Sequence, residues 1–280
     1  MGVKTQTYPT DLSDSQWSII QPLIPPAKPG APKGHPPRSL DMRQVINAVL
    51  YVVVGGIQWR MLPQEYPNGK SVYHYFRLWR KTGVWQRIHD TLCARVRRQA
   101  GRHKQPTAGC LDSQSVKSTA VPGVRGYDKA KQVKAPRGHP KRHLLVDTSG
   151  LLMAVVVTPA SVQERDGAIQ LFRRLPGACK KLRRIWVDGA GALWARGPIL
   201  TDWVAQHCRF VLQTVLRPAD QQGFAVLPRR WVVAPRGYPT FAWLNHHRRL
   251  SKDYEGLTTT SEAFIYIAMI RIMVRRLARA

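Results

Sequence analysis

The sequence predicts an α/β (α+β) protein in which a helical N-terminal domain, residues 1–103, precedes a mixed-sheet domain, residues 104–280. Three observations carry that expectation. Up to Gln99, apolar residues recur at helical spacing between Gly and Pro breaks. After the polar stretch 101–105 the texture changes to short apolar runs alternating with helical segments, the pattern of strands layered with helices. A chain of 280 residues, 44% of them hydrophobic, can also bury a substantial core.

Taken in order, Ser13 can cap a helix through Ile20, which the Pro22 and Pro25-Pro26 region ends. A second helix begins after Ser39, carries Val45, Ala48, Val49 and Val52 on one face, and stops at Gly55-Gly56. The third begins after Lys70, with Val72, Phe76 and Trp79 on one side and His74, Arg77, Arg80 and Lys81 interleaved, and Gly83 breaks it. A fourth, residues 85–99, ends in Arg95, Arg97 and Arg98, cations that suit a helix C-terminus. Short helices with a basic, aromatic-laced member fit a helix-turn-helix-like module that lays residues 71–81 against DNA. The same residues also fit an aromatic core with a wet basic face.

Beyond the polar stretch, residues 108–112 read as a short buried strand. Residues 143–146 and 151–157 are apolar runs joined by Asp147-Thr148-Ser149-Gly150, a hairpin with turn chemistry at its tip. A helix over 163–175, a strand over 184–187, a helix over 200–206 and a strand over 210–216 follow. Helices over 240–250 and 261–277 close the chain.

Lys and Arg number 44 against 16 Asp and Glu, a formal net charge of +28. Such an excess repels itself in a compact chain and calls for a polyanion: DNA, RNA or an anionic surface. A membrane span is not expected, because the most apolar stretch, residues 261–273, is short and contains Arg271. Residues 1–14 lack the charged-then-apolar pattern of a secretory signal, so a cytoplasmic protein is expected. Cys93, Cys110, Cys179 and Cys208 include no Cys-x-x-Cys pair and no zinc-like His spacing, and read as buried reduced thiols.

Asp112 ends its strand in Cys-Leu-Asp-Ser-Gln-Ser, and Asp188 ends another in Arg-Ile-Trp-Val-Asp-Gly. An Asp at a strand end is often only a loop former or a helix cap. Two of them in a chain this poor in acids, beside a phosphate-binding surface, place negative charge where a divalent cation can bridge to DNA. In two-metal phosphoryl transfer, carboxylates hold ions about 3.5–4 Å apart, one at the attacking and one at the leaving oxygen.

Six stretches make the reading specific: Tyr8-Pro-Thr-Asp-Leu-Ser-Asp-Ser-Gln-Trp17, Gly56-Ile-Gln-Trp-Arg-Met-Leu-Pro63, Leu111-Asp-Ser-Gln-Ser-Val-Lys117, Lys141-Arg-His-Leu-Leu-Val-Asp147, Leu227-Pro-Arg-Arg-Trp-Val-Val233, and Phe241-Ala-Trp-Leu244 with Arg248-Arg-Leu-Ser-Lys-Asp-Tyr-Glu255. Together, in this order, the chain resembles the insertion-sequence transposases of the IS-five group. The resemblance implies an RNase H-like catalytic domain behind a helical DNA-binding domain, two Mg²⁺ (or Mn²⁺) ions and a DDE triad of acids. It implies double-stranded DNA as partner, both element ends and target, and is compatible with a homo-oligomer on DNA. Asp112 matches the first acid of the triad and Asp188 the second, as catalytic residues and metal ligands. Arg77, Arg80, Lys81, Lys117, Lys141, Arg142, Arg229, Arg230, Arg248 and Arg249 are the cations expected to contact DNA.

The third acid has no counterpart. Where Trp231-Val-Val is followed in the family by Glu-Arg and then Thr-Phe-Ala-Trp, this chain has Ala234-Pro-Arg-Gly-Tyr-Pro239, and Tyr238 falls at the glutamate's place. Near copies of that hexapeptide stand at Ala31-Pro-Lys-Gly-His-Pro36 and Ala135-Pro-Arg-Gly-His-Pro140, each expected to form a loop. Downstream, Glu255 lies 17 positions beyond Tyr238, about 25 Å along a continuous helix, so neither it nor Asp253 is expected to substitute. The sequence thus leaves three readings: a transposase impaired in chemistry, a DNA-binding protein derived from one, and a nuclease that only cuts.

Overall fold

The computed structural model describes residues 8–26, 40–119, 126, 139–175, 179–188, 199–215 and 240–279, without the side chains of Asp188 and Ile199. Helix α1 (Asp14–Ile20) starts in a reciprocal box: Ser13 Oγ accepts from Gln16 N at 3.2 Å while Gln16 Oε1 accepts from Ser13 N at 3.3 Å. Asp41 caps α2 (Met42–Gly55), which ends on Gly56 in the left-handed region, φ 74°. A Cβ there would also meet Arg248 Cβ at 3.0 Å, so Gly56 serves both the turn and a close approach. Asn68 caps α3 (Gly69–Lys81), and Gly83 leads into α4 (Val84–Gln99). Val45, Ala48, Val49, Val52, Val72, Phe76 and Trp79 are buried, as their spacing predicts.

A five-stranded mixed sheet follows, in the order β3-β2-β1-β4-β5. Strands β1 (Ala108–Ser115), β2 (Pro140–Asp147) and β3 (Leu152–Pro159) are antiparallel neighbours; β4 (Arg184–Asp188) runs parallel to β1, and β5 (Val211–Val215) parallel to β4. This is the RNase H-like arrangement. The hairpin tip closes because Asp147 Oδ1 accepts from Ser149 N at 2.7 Å and Leu151 N at 3.0 Å, with Gly150 at φ 76°. One extra residue, Met153, bulges out of register opposite Leu145 and Val146.

Both faces of the sheet are covered, which is why β2 and β3 read as continuous apolar runs rather than alternating ones. Leu111, Leu145, Val156, Ile185 and Val187 pack under α5 (Glu164–Arg173) and α6 (Ile199–His207), with Ala168, Leu171, Leu200 and Val204. Cys110, Leu144, Val146, Val155, Val157 and Trp186 share one core with the N-terminal helices and with α9 (Thr258–Leu277). No helix among the described residues is long and apolar enough to cross a membrane.

One expected element is corrected. The helix over 240–250 is two pieces, α7 (Thr240–Asn245) and α8 (Arg248–Ser251), separated by a turn at His246 and His247. The turn allows Phe241 and Leu244 to be buried before it and Arg249 and Leu250 after it. Strand β1 also runs three residues past Asp112, because Ser113, Gln114 and Ser115 pair with His143, Arg142 and Lys141 of β2.

The polar joint between α4 and the hairpin is the ion pair of Arg97 Nη1 with Asp147 Oδ2, both buried; Arg97 Nε also donates to His103 O at 2.9 Å. Removing the cation strands a buried carboxylate, so Arg97→Ala should lower unfolding free energy by about 3–5 kcal/mol. The double variant Arg97→Met with Asp147→Asn, which keeps a turn acceptor, should cost clearly less. Urea unfolding of both checks this, and an Arg97→Ala loss below about 1 kcal/mol, the scale of an exposed pair, would remove the joint's importance.

Candidate active site

The ladder between β1 and β4 sets the geometry. It runs Ala108↔Arg184, Gly109↔Ile185, Cys110↔Trp186 and Leu111↔Val187, so one step further along puts the backbone of Asp112 beside that of Asp188. Neighbouring strands lie about 4.8 Å apart. Parallel partners share a face, and Cys110 and Trp186, two residues earlier on each strand, both belong to the core on the α9 side. On its other side Asp188 pairs with Val215 of β5, and Asp112 pairs with Leu144 of β2, so the two acids occupy central strands of a rigid frame.

Asp112 is partly buried, and its Oδ1 accepts from the backbone N of Ser113 at 2.7 Å. Ser113 turns to the opposite face and donates through Oγ to Glu164 Oε1 at 2.7 Å, tying β1 to the first turn of α5. Two carboxylate-bearing positions in register offer hard oxygen donors, which suit Mg²⁺ or Mn²⁺ in kind. Among the described residues no group of three His, Cys, Asp or Glu side chains is placed to hold a metal ion.

Most of the other acids among the described residues are engaged elsewhere, while Asp202 on α6 is exposed. Asp253 Oδ2 accepts from Ser261 Oγ at 2.8 Å and its Oδ1 from Glu255 N at 2.9 Å, while Glu255 pairs with Arg249 Nε at 2.7 Å. The expectation that these two stay away rested on a continuous helix; the chain instead turns back, and Asp253 forms a parallel bridge to Ser118, just past β1. Both carboxylates are engaged in these contacts. Asp14, Asp90, Asp147 and Glu262 pair with Arg43, His89, Arg97 and Arg174, and Asp11 and Glu65 accept from Tyr66 and Tyr8. Tyr238, the hexapeptide copies apart from His139 and Pro140, and the acids Asp128 and Asp220 lie outside the described residues. Helix α7 begins at Thr240, whose Oγ1 donates to Gly150 O at 2.8 Å beside the hairpin tip.

The cations divide. Arg77, Lys81, Lys117 and Arg248 are exposed. Four others turn inward, against expectation. Arg80 donates to Thr259 and Thr260 Oγ1 at 2.6 and 2.9 Å, Lys141 to Val162 O at 3.4 Å, Arg142 to Leu250 O at 2.9 Å, and Arg249 to Glu255 and to Ile57 O. Each long side chain ends on an oxygen of a neighbouring segment and acts as a strut. Arg229 and Arg230 lie outside the described residues.

Residues 12–89 match the family of transposases described as IS4/5, and residues 103–273 match the transposase DDE domain. The chain belongs to the DDE transposases. Over 112 residues it is 33% identical to the uncharacterized 16.2 kDa protein of insertion element IS402 from Burkholderia cepacia, covering 39% of this chain and 75% of that protein. Among solved structures it is similar to a pre-cleavage Mos1 transpososome (12% identity, 90% of this chain and 80% of that one, TM-score 0.32) and to the Mos1 strand transfer complex (13% identity, 89% and 79%, TM-score 0.32). At those scores the likeness is too slight to bear on the chemistry.

At the junction of α7 and α8 this transposase holds a buried imidazole. His247 Nδ1 lies 3.0 Å from Trp243 O, and burial first, then the charge of Arg271, pushes its pKa down to about 4. The unfolded chain, near 6.5, therefore binds more protons between those values, so this group's stability is present above pH 6.5 and lost as pH falls toward 4. Glu255 and Glu262, raised by burial, work in the opposite sense. Comparison with His247→Gln isolates the histidine: between pH 7 and 5 the wild type should lose about 2 kcal/mol more than the variant in urea unfolding. Parallel losses in the two proteins would show that His247 is not buried neutral.

Proposed function

We propose that this chain binds double-stranded DNA at element ends and target in the cytoplasm, and that its cleavage and strand-transfer chemistry is impaired by the absent third acid. The observation that carries this is the placement of the two family acids, Asp112 and Asp188, one step beyond the β1–β4 ladder, with a hexapeptide where the family has glutamate. Divalent Mg²⁺ or Mn²⁺, two ions in an intact site, would supply Lewis-acid stabilisation of the charge developing at phosphate. Asp112 and Asp188 would hold them, their backbones standing on neighbouring strands. With two such positions the coordination is incomplete, and small misplacements cost orders of magnitude in rate.

Binding rests on different residues. Arg77 and Lys81 on the open side of α3, with Lys117 and Arg248, present charge for phosphates, and the +28 balance supplies the long-range attraction. Arg80 is excluded from this set because it braces α9. The alternative, a DNA-binding protein with no chemistry left, draws on the same hexapeptide.

Replacing residues 234–239 by Glu-Arg restores the family pattern. The restored variant should nick end-bearing DNA in Mg²⁺ or Mn²⁺ while the parent is inactive or nearly so; equal cleavage by both would mean that another acid completes the site. A restored variant that stays inactive would favour the non-catalytic reading. Binding by both should weaken steeply with salt, and Arg77→Ala with Lys81→Ala should reduce the slope of log affinity against log salt by roughly 1 for each phosphate no longer neutralised. An unchanged slope would return α3 to a merely solvated face.

A further inference from the structure

We propose that His89, Cys93 and Met273 form a site for one soft, thiophilic cation of the copper(I) class, lying between α4 and α9 and separate from the DDE acids. His89 and Cys93 are four residues apart, hence on one face of α4. His89 Nε2 and Cys93 Sγ are 3.6 Å apart, and Cys93 Sγ and Met273 Sδ 3.4 Å. Metal bonds of about 2.0–2.3 Å spread in a trigonal plane separate their donors by about 3.5–4 Å; the nitrogen–sulfur spacing falls in that range, and the sulfur–sulfur spacing, just below it, has to open slightly around an ion. His89 Nδ1 lies 2.9 Å from Asp90 Oδ1, and a carboxylate at one imidazole nitrogen is the arrangement that orients the other toward a metal. His89 and Met273 are buried completely, which preorganises two of the three donors.

The chemistry of the set chooses the ion. A thiol, a thioether and an imidazole, with the carboxylate turned away from the sulfurs, favour copper(I) over the hard divalent ions that suit Asp112 and Asp188. Cys93, though neither His89 nor Met273, lines a cavity of about 250 Å³ together with Asp90, Arg97, Asp147 and Cys179, so an ion reaches the thiol first. Binding replaces the Cys93 S–H bond by a sulfur–metal bond, and the thiol proton leaves to solvent. The ion then staples α4 to α9, the two helices that join the N-terminal layer to the sheet.

The test titrates the anaerobic full-length protein with copper(I) against a chromophoric chelator. One equivalent should be held, with X-ray absorption at the copper edge fitting one nitrogen and two sulfurs. Cys93→Ser should abolish binding, and Asp90→Asn should weaken it roughly 10- to 100-fold, the usual effect of losing a ligand's orienting partner. Met273→Leu, close in volume and expected to fold, should lose one sulfur from the fit, whereas Cys179→Ser and Cys208→Ser should bind as the wild type does. Retention of full affinity by Asp90→Asn and Met273→Leu, loss of binding in Cys208→Ser, or no copper bound by the wild type would each overturn the proposal.

Discussion

Helix α9 is the constraint on which the rest of the molecule depends. Residues 263–270 are buried without interruption, so the helix presents no solvent face over two turns and must be covered on every side. Helices α1, α2 and α4 cover one side and strand β3 the other. Phe264 stacks on Phe76 and Trp59, and Arg249 lies over its ring. Burying a side chain of this kind is worth about 1.5–3 kcal/mol, and here each one glues helices and sheet at once. Polar contacts follow the same axis: Glu262 accepts from Val157 N of β3 and pairs with Arg174, while Arg80 grips the first turn through Thr259 and Thr260.

That arrangement explains how a chain with a net charge of +28 stays folded. Part of the cationic excess is inside the scaffold. Arg142 is almost wholly buried in β2, its pKa drawn down to about 10 by burial and partly restored by Asp253, and it meets the carbonyl of Leu250. Arg97, Lys141 and Arg249 are likewise enclosed, with aliphatic stems in apolar surroundings and polar heads on oxygens. Scarce acids answer them at Asp147 and Glu255. A chain that assigns its few carboxylates to such joints has few left over for other work.

Much of this was legible from the residues. Ser13 and the glycines at 56 and 83 marked helix ends because capping and positive φ are local requirements. Asp112 and Asp188 stood out because an acid directly after apolar strand residues is unusual in so basic a chain. The inward turn of Lys141, Arg142 and Arg249 was not legible, since a cation in a motif reads as a surface group until its strand is known to have neighbours on both edges and layers on both faces. A signal was present: Lys141 and Arg142 open the run that continues His-Leu-Leu-Val, and such a run in a central strand leaves no wet side. The break at His246 and His247 was hidden for a similar reason, as it answers to what Leu244 and Leu250 must bury rather than to helix propensity.

The same packing separates fold from chemistry. Register between β1 and β4 is held by the backbone ladder and by Cys110, Leu111, Ile185, Trp186 and Val187, which are committed to the cores on the two faces. None of those terms involves a carboxylate. The sheet can therefore keep Asp112 beside Asp188 whether or not a third acid completes the set, and α7 is seated independently by Thr240 on Gly150 O and by Phe241 and Leu244 in the core. Stability therefore sets no demand for a third acid here; only the reaction proposed above does.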